Sequence, residues 1–199
     1  MGALVSLARP KSVPCSDVIH LDGQAVYAIT QRAVIEEGGK WNPILRGSGD
    51  LLGDLALCGR LKSVYSARAL SLTSFLVIPA SRFLRLAARE PAIGAALNCA
   101  LAQHAQRLGT WRAVDRLHSC ARIAWLLLEL SEALSNKGQP ADWVSGVNQN
   151  QMAQLAGMSQ ASVENDLRLL REAGAISTSY RKIQILDRAL LARWVPEFM

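Results

Sequence analysis

The apolar positions of this chain change their spacing along its length, and each change marks a different kind of element. Between residues 18 and 90 they come in short runs. Val26-Tyr27-Ala28-Ile29 and Ala33-Val34-Ile35 read as short strands, and the glycines at 38, 39, 47, 49 and 53 mark turns between pieces too brief for helices. This pattern predicts an antiparallel β structure. At Glu90-Pro91 the spacing lengthens: Ile93, Leu97, Leu101, His104, Leu108 and Trp111 recur every three or four residues, with proline in the favoured first turn of a helix. A second helix is predicted over residues 114–134, with Ile123, Leu126, Leu127 and Leu130 as its apolar face, and Asn136-Lys137-Gly138-Gln139-Pro140 reads as a loop.

The most specific pattern follows that loop. Asn148 with Gln151 three residues on is an N-terminal capping pair, and Met152, Leu155 and Ala156 form the apolar stripe of the helix it starts. Gly157 ends that helix. Ser159 can cap the next one, on which Val163, Leu167 and Leu170 recur at i, i+4 and i+7. Gly174 is placed to stop it. Residues 175–178 and 182–186 then read as two short strands around Ser179-Tyr180-Arg181, and Asp187 can cap a last helix carrying Leu190, Leu191 and Trp194. Two helices with a one-residue gap and a hairpin behind them are a winged helix-turn-helix, whose second helix is the one that enters the major groove of DNA.

This block, down to Ile183-Gln184-Ile185-Leu186-Asp187, resembles the C-terminal domain of the Crp/Fnr family of bacterial transcription regulators. A second likeness lies upstream. Gly49-Asp50-Leu51-Leu52-Gly53-Asp54-Leu55-Ala56-Leu57 is similar to the G-D-x-x-G-E-x-A-L segment of the family's cyclic-nucleotide-binding roll, and Ala67-Arg68-Ala69-Leu70-Ser71 and Phe75-Leu76-Val77-Ile78-Pro79 are similar to the strands after it. The resemblance implies an α+β chain: an N-terminal tail over residues 1–17, a truncated antiparallel β-roll of the cyclic-nucleotide-binding kind over 18–90, a long dimerisation helix over 91–113, and the winged helix-turn-helix over 114–199. It implies a homodimer joined through Ile93, Leu97, Leu101, His104, Leu108 and Trp111, with double-stranded DNA as partner. RNA polymerase and a small-molecule effector of unknown identity are the further partners it allows.

For the effector, the resemblance puts Asp54 at the acid that holds a ribose hydroxyl, flanked by Gly53 and Leu55. The arginine that pairs with a cyclic phosphate has no clear counterpart. An ungapped alignment puts Ser63 at its place, and a gap brings in Lys62, a point charge rather than a planar fork. Cyclic AMP dependence is therefore not expected.

For DNA, Gln160 and Asn165 are suited to adenine and Arg168 to a phosphate, with Gln149, Ser159, Ala161 and Ser162 completing the helix surface and Tyr180, Arg181 and Lys182 the wing. Charge argues for moderation. The whole chain carries +6, yet residues 140–199 hold six cations and six acids, Glu164 lies on the outward face, and Asp166 falls where the family usually has an aliphatic side chain. These departures keep a rival reading open: a degenerate member with weak DNA binding that works by dimerising or holding a protein partner.

Other classes find little support. His20, His104 and His118 are dispersed, and no nucleophile, P-loop or zinc-protease motif occurs, so no catalytic residue and no enzyme is expected. Cys15, Cys58, Cys99 and Cys120 lie far apart, so neither metal nor cofactor is expected and buried thiols are the reading. The most apolar run, residues 123–130, is broken by Glu129 and is far shorter than the roughly 20 residues a bilayer requires. With no signal-peptide core either, a cytoplasmic location without membrane contact is expected.

Overall fold

The computed structural model describes residues 8–38, 41–58, 65–135 and 139–195. The chain divides into two compact units, one of residues 1–41 and 46–108, the other of residues 42–45 and 109–199.

The N-terminal part of the chain forms eight strands, β1 Arg9–Val13, β2 Val18–Leu21, β3 Ala25–Gln31, β4 Val34–Gly38, β5 Trp41–Arg46, β6 Leu51–Leu52, β7 Tyr65–Ala69 and β8 Thr73–Pro79, all of the first unit except residues 42–45 of β5. They form two four-stranded sheets, ordered β1-β8-β3-β6 and β2-β7-β4-β5. Alternation decides which side chains turn inward. On β2, exposed Val18 and His20 alternate with buried Ile19 and Leu21, and the inward set packs with Ile29, Val34, Leu52, Ala67 and Phe75 into one core. Burying a ring such as Phe75 contributes about 2–3 kcal/mol, so its loss would be felt throughout the roll. Gly53 is required by geometry: its φ is +79°, and a Cβ there would meet the Ala25 carbonyl oxygen at 2.9 Å.

Three helices complete this part of the chain. Helix α1 spans Asp54–Cys58, α2 spans Ala80–Arg89 and α3 spans Pro91–Val114. The break between the last two falls at Glu90, which is extended (φ −112°, ψ 99°) because the ring of a following proline crowds the helical conformation. Phe83 of α2 and Leu97 of α3 are buried against Val26 and Ile78, with Ile93 and Leu101 packed alongside.

The second unit gathers around α4, Ser119–Ala133, whose Ile123, Ala124, Leu126, Leu127 and Leu130 are fully buried. Against it pack α5 Gln149–Ala156, α6 Gln160–Glu172, α7 Arg188–Ala192 and β9 Trp143–Ser145. Strands β10 Ile176–Ser179 and β11 Lys182–Ile185 form the hairpin, and the sheet order is β10-β11-β9.

Several boundaries differ from the sequence reading. Residues 1–17 are not simply a tail, because Arg9–Val13 pairs along β8 from Arg9↔Val77 to Val13↔Thr73 and buries Val13 in the roll core. The helix expected from residue 114 begins at Ser119, since the long helix runs on to Val114 and the His118 side chain caps the next one by accepting from the Ala121 amide at 3.2 Å. Helix α2 and strand β9 were not anticipated. Cys15 and Cys99 are exposed and only Cys120 is buried, which corrects the expectation of buried thiols for those two; the Cys58 side chain lies outside the described residues.

Candidate nucleic-acid interface

Local sequence positions the two helices of the interface. Asn148 accepts from the Gln151 amide at 2.8 Å, while the Gln151 side chain accepts from the Asn148 amide at 2.9 Å, a reciprocal cap that fixes the start of α5. Gly157 ends it in the left-handed region (φ 62°, ψ 41°), a turn that favours glycine. Ser159 Oγ then accepts from the Ser162 amide at 3.1 Å and starts α6. Met152, Leu155 and Ala156 of α5 and Val163, Leu167 and Leu170 of α6 are buried. Arg122, which the sequence did not single out, donates to the Ala156 and Gly157 carbonyls at 3.1 and 3.4 Å and to the Asp115 and Leu117 carbonyls at 2.7 and 3.1 Å. It ties the end of α5 to the turn before α4. No periodicity marks such a staple, because its partners are backbone oxygens.

That packing leaves one face of α6 outward. Ala161, Glu164, Asn165 and Arg168 line a shallow groove with Gln149, Arg171 and Thr178. Gln160 is exposed and Ser162 half-buried beside the capping Ser159. The groove has its own internal bonds. Arg168 donates to Asn165 Oδ1 and to Glu172 Oε1, both at 2.8 Å, and Arg171 donates to Thr178 Oγ1 at 2.9 Å, joining α6 to β10. The phosphate role expected of Arg168 and the base role expected of Asn165 thus start from side chains already bonded to each other.

The wing turns at Tyr180-Arg181, closed by the pairing Ser179↔Lys182. Arg181 is left-handed (φ 57°), a conformation costing a non-glycine residue about 1 kcal/mol. Its guanidinium lies 5.4 Å from the ring centroid of Tyr180, which is 85% exposed. Lys182 is exposed beside them.

Asp166 is the misfit of α6. It is 2% exposed, accepts from Ser119 Oγ at 3.1 Å through Oδ1, and its buried Oδ2 has no hydrogen-bond partner. Burial raises its pKa against the opposing Ser119 bond and the charge of His118, and burial with the nearby Asp166 charge pushes the Cys120 thiol up to about 11.

The residues assigned to an effector are placed differently from the expectation. Asp54 is 1% exposed, and both its oxygens accept from Arg46 Nη2, at 3.2 and 3.1 Å. Arg46 Nε donates to Glu36 Oε2 at 2.9 Å, and His104 Nδ1 lies 2.8 Å from Arg46 Nη2 and 3.2 Å from Asp54 Oδ2. Asp54 therefore already has protein partners. Burial works to raise its pKa, but the bonds from His104 and Arg46 outweigh that and hold it below the usual aspartate value; Glu36 is raised by burial, with Arg46 only partly offsetting it. Lys62, Ser63 and the Leu55 side chain lie outside the described residues, and Gly53 serves the turn described above.

The residues assigned to a dimer seam have partners within the chain itself. Leu97 and His104 are buried within the first unit, Ile93 and Leu101 pack on the same core, and Trp111 stacks edge-on against Trp125 with ring centroids 4.6 Å apart. Of the expected stripe, Leu108 is the exposed member. The open face of α3 carries Ala92, Ala95, Cys99, Ala102 and Gln106 instead.

Residues 121–194 match the Crp-like helix-turn-helix domain family. No curated protein sequence matches the chain. Among solved structures it is similar to FixK2 from Bradyrhizobium japonicum, at 18% identity over 95% of this chain and 98% of that one with a TM-score of 0.78. It is similar also to a CRP-family transcriptional regulator from Thermus thermophilus, at 24% identity over 92% and 95% of the two chains with a TM-score of 0.74. A third likeness is to the c-di-GMP responsive global regulator CLP of Xanthomonas campestris, at 17% identity over 92% and 96% with a TM-score of 0.71. At these identities the likeness is one of fold.

Proposed function

We infer, from a chain that carries a Crp-like helix-turn-helix domain on the fold of the Crp/Fnr regulators, that this protein is a DNA-binding transcription regulator acting as a homodimer. The observation that supports this best is the open outer face of α6, held between a capped α5 and a wing whose tip presents Tyr180, Arg181 and Lys182. Two copies related by a two-fold axis would present two such helices to successive major grooves, one helical turn apart. Small side chains at Ala92, Ala95, Cys99 and Ala102 let two copies of α3 approach closely. Gln160 and Asn165 read bases; Arg181 and Lys182, with Arg168 and Arg171 once released, hold phosphates.

A regulator bound at a promoter meets RNA polymerase, and the work belongs in the cytoplasm, where the DNA is. No helix among the described residues is long and apolar enough to cross a membrane. The test is to recover genomic fragments on the purified protein at low salt and sequence them. A shared, roughly palindromic motif is the expected result. Retention of no fragment would overturn the reading and favour a dimerising, partner-binding role.

A further inference from the structure

A hollow of about 350 Å3 opens in the first unit between the β1-β8-β3-β6 sheet and the helices α2 and α3. Its floor is apolar: Leu51, Leu76 and Ile78 of the sheet face Phe83 of α2 and Ile93 and Leu97 of α3. Ile78, Phe83 and Leu97 are buried there, with Leu51 and Ile93 packed alongside. The hollow stays open because the remaining wall positions are small. Ala28 and Gly49 stand on the sheet side, and Ala96 and Ala100, about one turn apart, on the α3 side. A Cβ added at Gly49 would meet nothing within 4 Å. Protein interiors are otherwise filled to the density of organic crystals, so an apolar space of this size is a departure that needs an occupant.

The lining says which kind of occupant. Cys99 and Gln103 are exposed at the rim, and among the described residues the Gln103 amide has no hydrogen-bond partner. None of the described lining residues is charged. A carbon-lined depth with one amide at its edge is the ordinary composition of a small-molecule site. Water suits it poorly, because a held water needs several polar partners. An apolar cavity of about 150 Å3 takes benzene, so a space about twice as large takes roughly two fused rings. Asp54 is engaged by Arg46 and His104, and a molecule sensed by the roll therefore has to use other residues.

We propose that this hollow binds a neutral, two-ring apolar molecule carrying one hydroxyl or carbonyl group, with the rings on the Phe83 and Leu97 floor and the polar group on the Gln103 amide. A second copy would meet α3 on the face that carries Ala92, Ala95 and Ala102, which are not lining residues; Cys99 belongs to both places. The mouth of the site thus borders the face assigned to the second copy, which gives the roll a way to pass occupancy to the dimer. That output rests on the homodimer reading; the site itself does not.

The experiment uses the full-length protein with 2-naphthol and naphthalene as probes in calorimetric titration. The expected result is one 2-naphthol per chain with a micromolar dissociation constant. Naphthalene should bind roughly threefold to tenfold more weakly, the loss of one hydrogen bond, and in Gln103→Ala the two probes should bind alike. Ala100→Leu fills the hollow and should weaken 2-naphthol by about tenfold or more while the melting temperature holds or rises. Should that variant fail to fold, alkylation of the wild type gives a second reading: 2-naphthol should slow the reaction of Cys99 and leave that of Cys15, which is also exposed, unchanged.

No heat and no protection of Cys99 up to the solubility of the probe, or a folded Ala100→Leu protein that binds as the wild type does, overturns the proposal. Binding that weakens as the protein is concentrated assigns the hollow to a second copy, and binding that requires removal of residues 1–7 assigns it to that segment; either result also overturns a ligand site. No duplex enters these measurements, so their failure and that of the DNA-binding reading are told apart.

Discussion

Asp166 and Arg168 are two positions where a single side chain works against its surroundings. The buried Oδ2 of Asp166 lacks a partner, and an unsatisfied buried polar atom costs about 1–3 kcal/mol. Asp166→Val should raise the unfolding free energy by roughly 1–2 kcal/mol, read from denaturant melts. The gain should grow with pH: a carboxyl whose folded pKa is raised contributes stability below its unfolded value that is lost as pH rises through the folded one, so its ionised form is the costly one. Arg168 is held by Asn165 and Glu172 at the surface, where an i, i+4 pair contributes only about 0.3–0.5 kcal/mol. Glu172→Ala should free the guanidinium for phosphate. The expected result is tighter duplex binding, by roughly twofold to tenfold at low salt, with a salt slope steeper by about two units for a dimer. Unchanged affinity and slope would mean that Arg168 does not reach the backbone.

Among the elements, α3 carries the prediction that separates the two readings of its faces. A charge at Leu101 would strike the protein's own core, so it is a poor probe of assembly. Ala102 lies on the open face, and Ala102→Glu should give monomers in sedimentation with little change in melting temperature. Cys99 is exposed on that face, and helices parallel about a two-fold axis bring each residue to its own twin, so mild oxidation should cross-link the wild type through Cys99. Absence of a covalent dimer that Cys99→Ser also lacks would move the seam elsewhere. The same helix shows what sequence pattern conveys. Its three-to-four spacing located the apolar face correctly but could not say whether a second copy or the chain's own roll covers it. Caps at Asn148, Ser159 and Asp187 were legible because their bonds close within three residues. The Arg46 cluster was not, since its partners lie 8, 10 and 58 positions away. Strand β9, three residues long, has too few positions to display an alternation.

For the molecule as a whole, charge is distributed against the expected site of contact. The net charge is +6, yet residues 140–199 are balanced, so electrostatic attraction to DNA must come from a few local cations. If Arg181 and Lys182 of two copies make the phosphate contacts, the logarithm of the association constant should fall with the logarithm of salt concentration with a slope of about −4. A slope about twice as steep would mean that Arg168 and Arg171 of both copies are released onto phosphates as well, and one steeper still would bring in cations from the first unit. The fold class itself was readable, because short apolar runs, a long periodic helix and a capped helix pair each have their own spacing. The placement of Arg9–Val13 in the roll was not, since four of its five side chains are exposed and leave no apolar pattern.

The edge-on pair Trp111 and Trp125 carries a consequence of another kind. Two indoles 4.6 Å apart at an interplanar angle of 90° couple their electronic transitions, so the second unit should show an exciton signature in circular dichroism that a Trp125→Phe substitution abolishes. Trp111 belongs to the last turn of α3 and Trp125 to the middle of α4. The chain thus contains its own optical gauge of how the last turn of the long helix packs on α4 within the second unit, readable without any attached dye as pH, salt or duplex is varied.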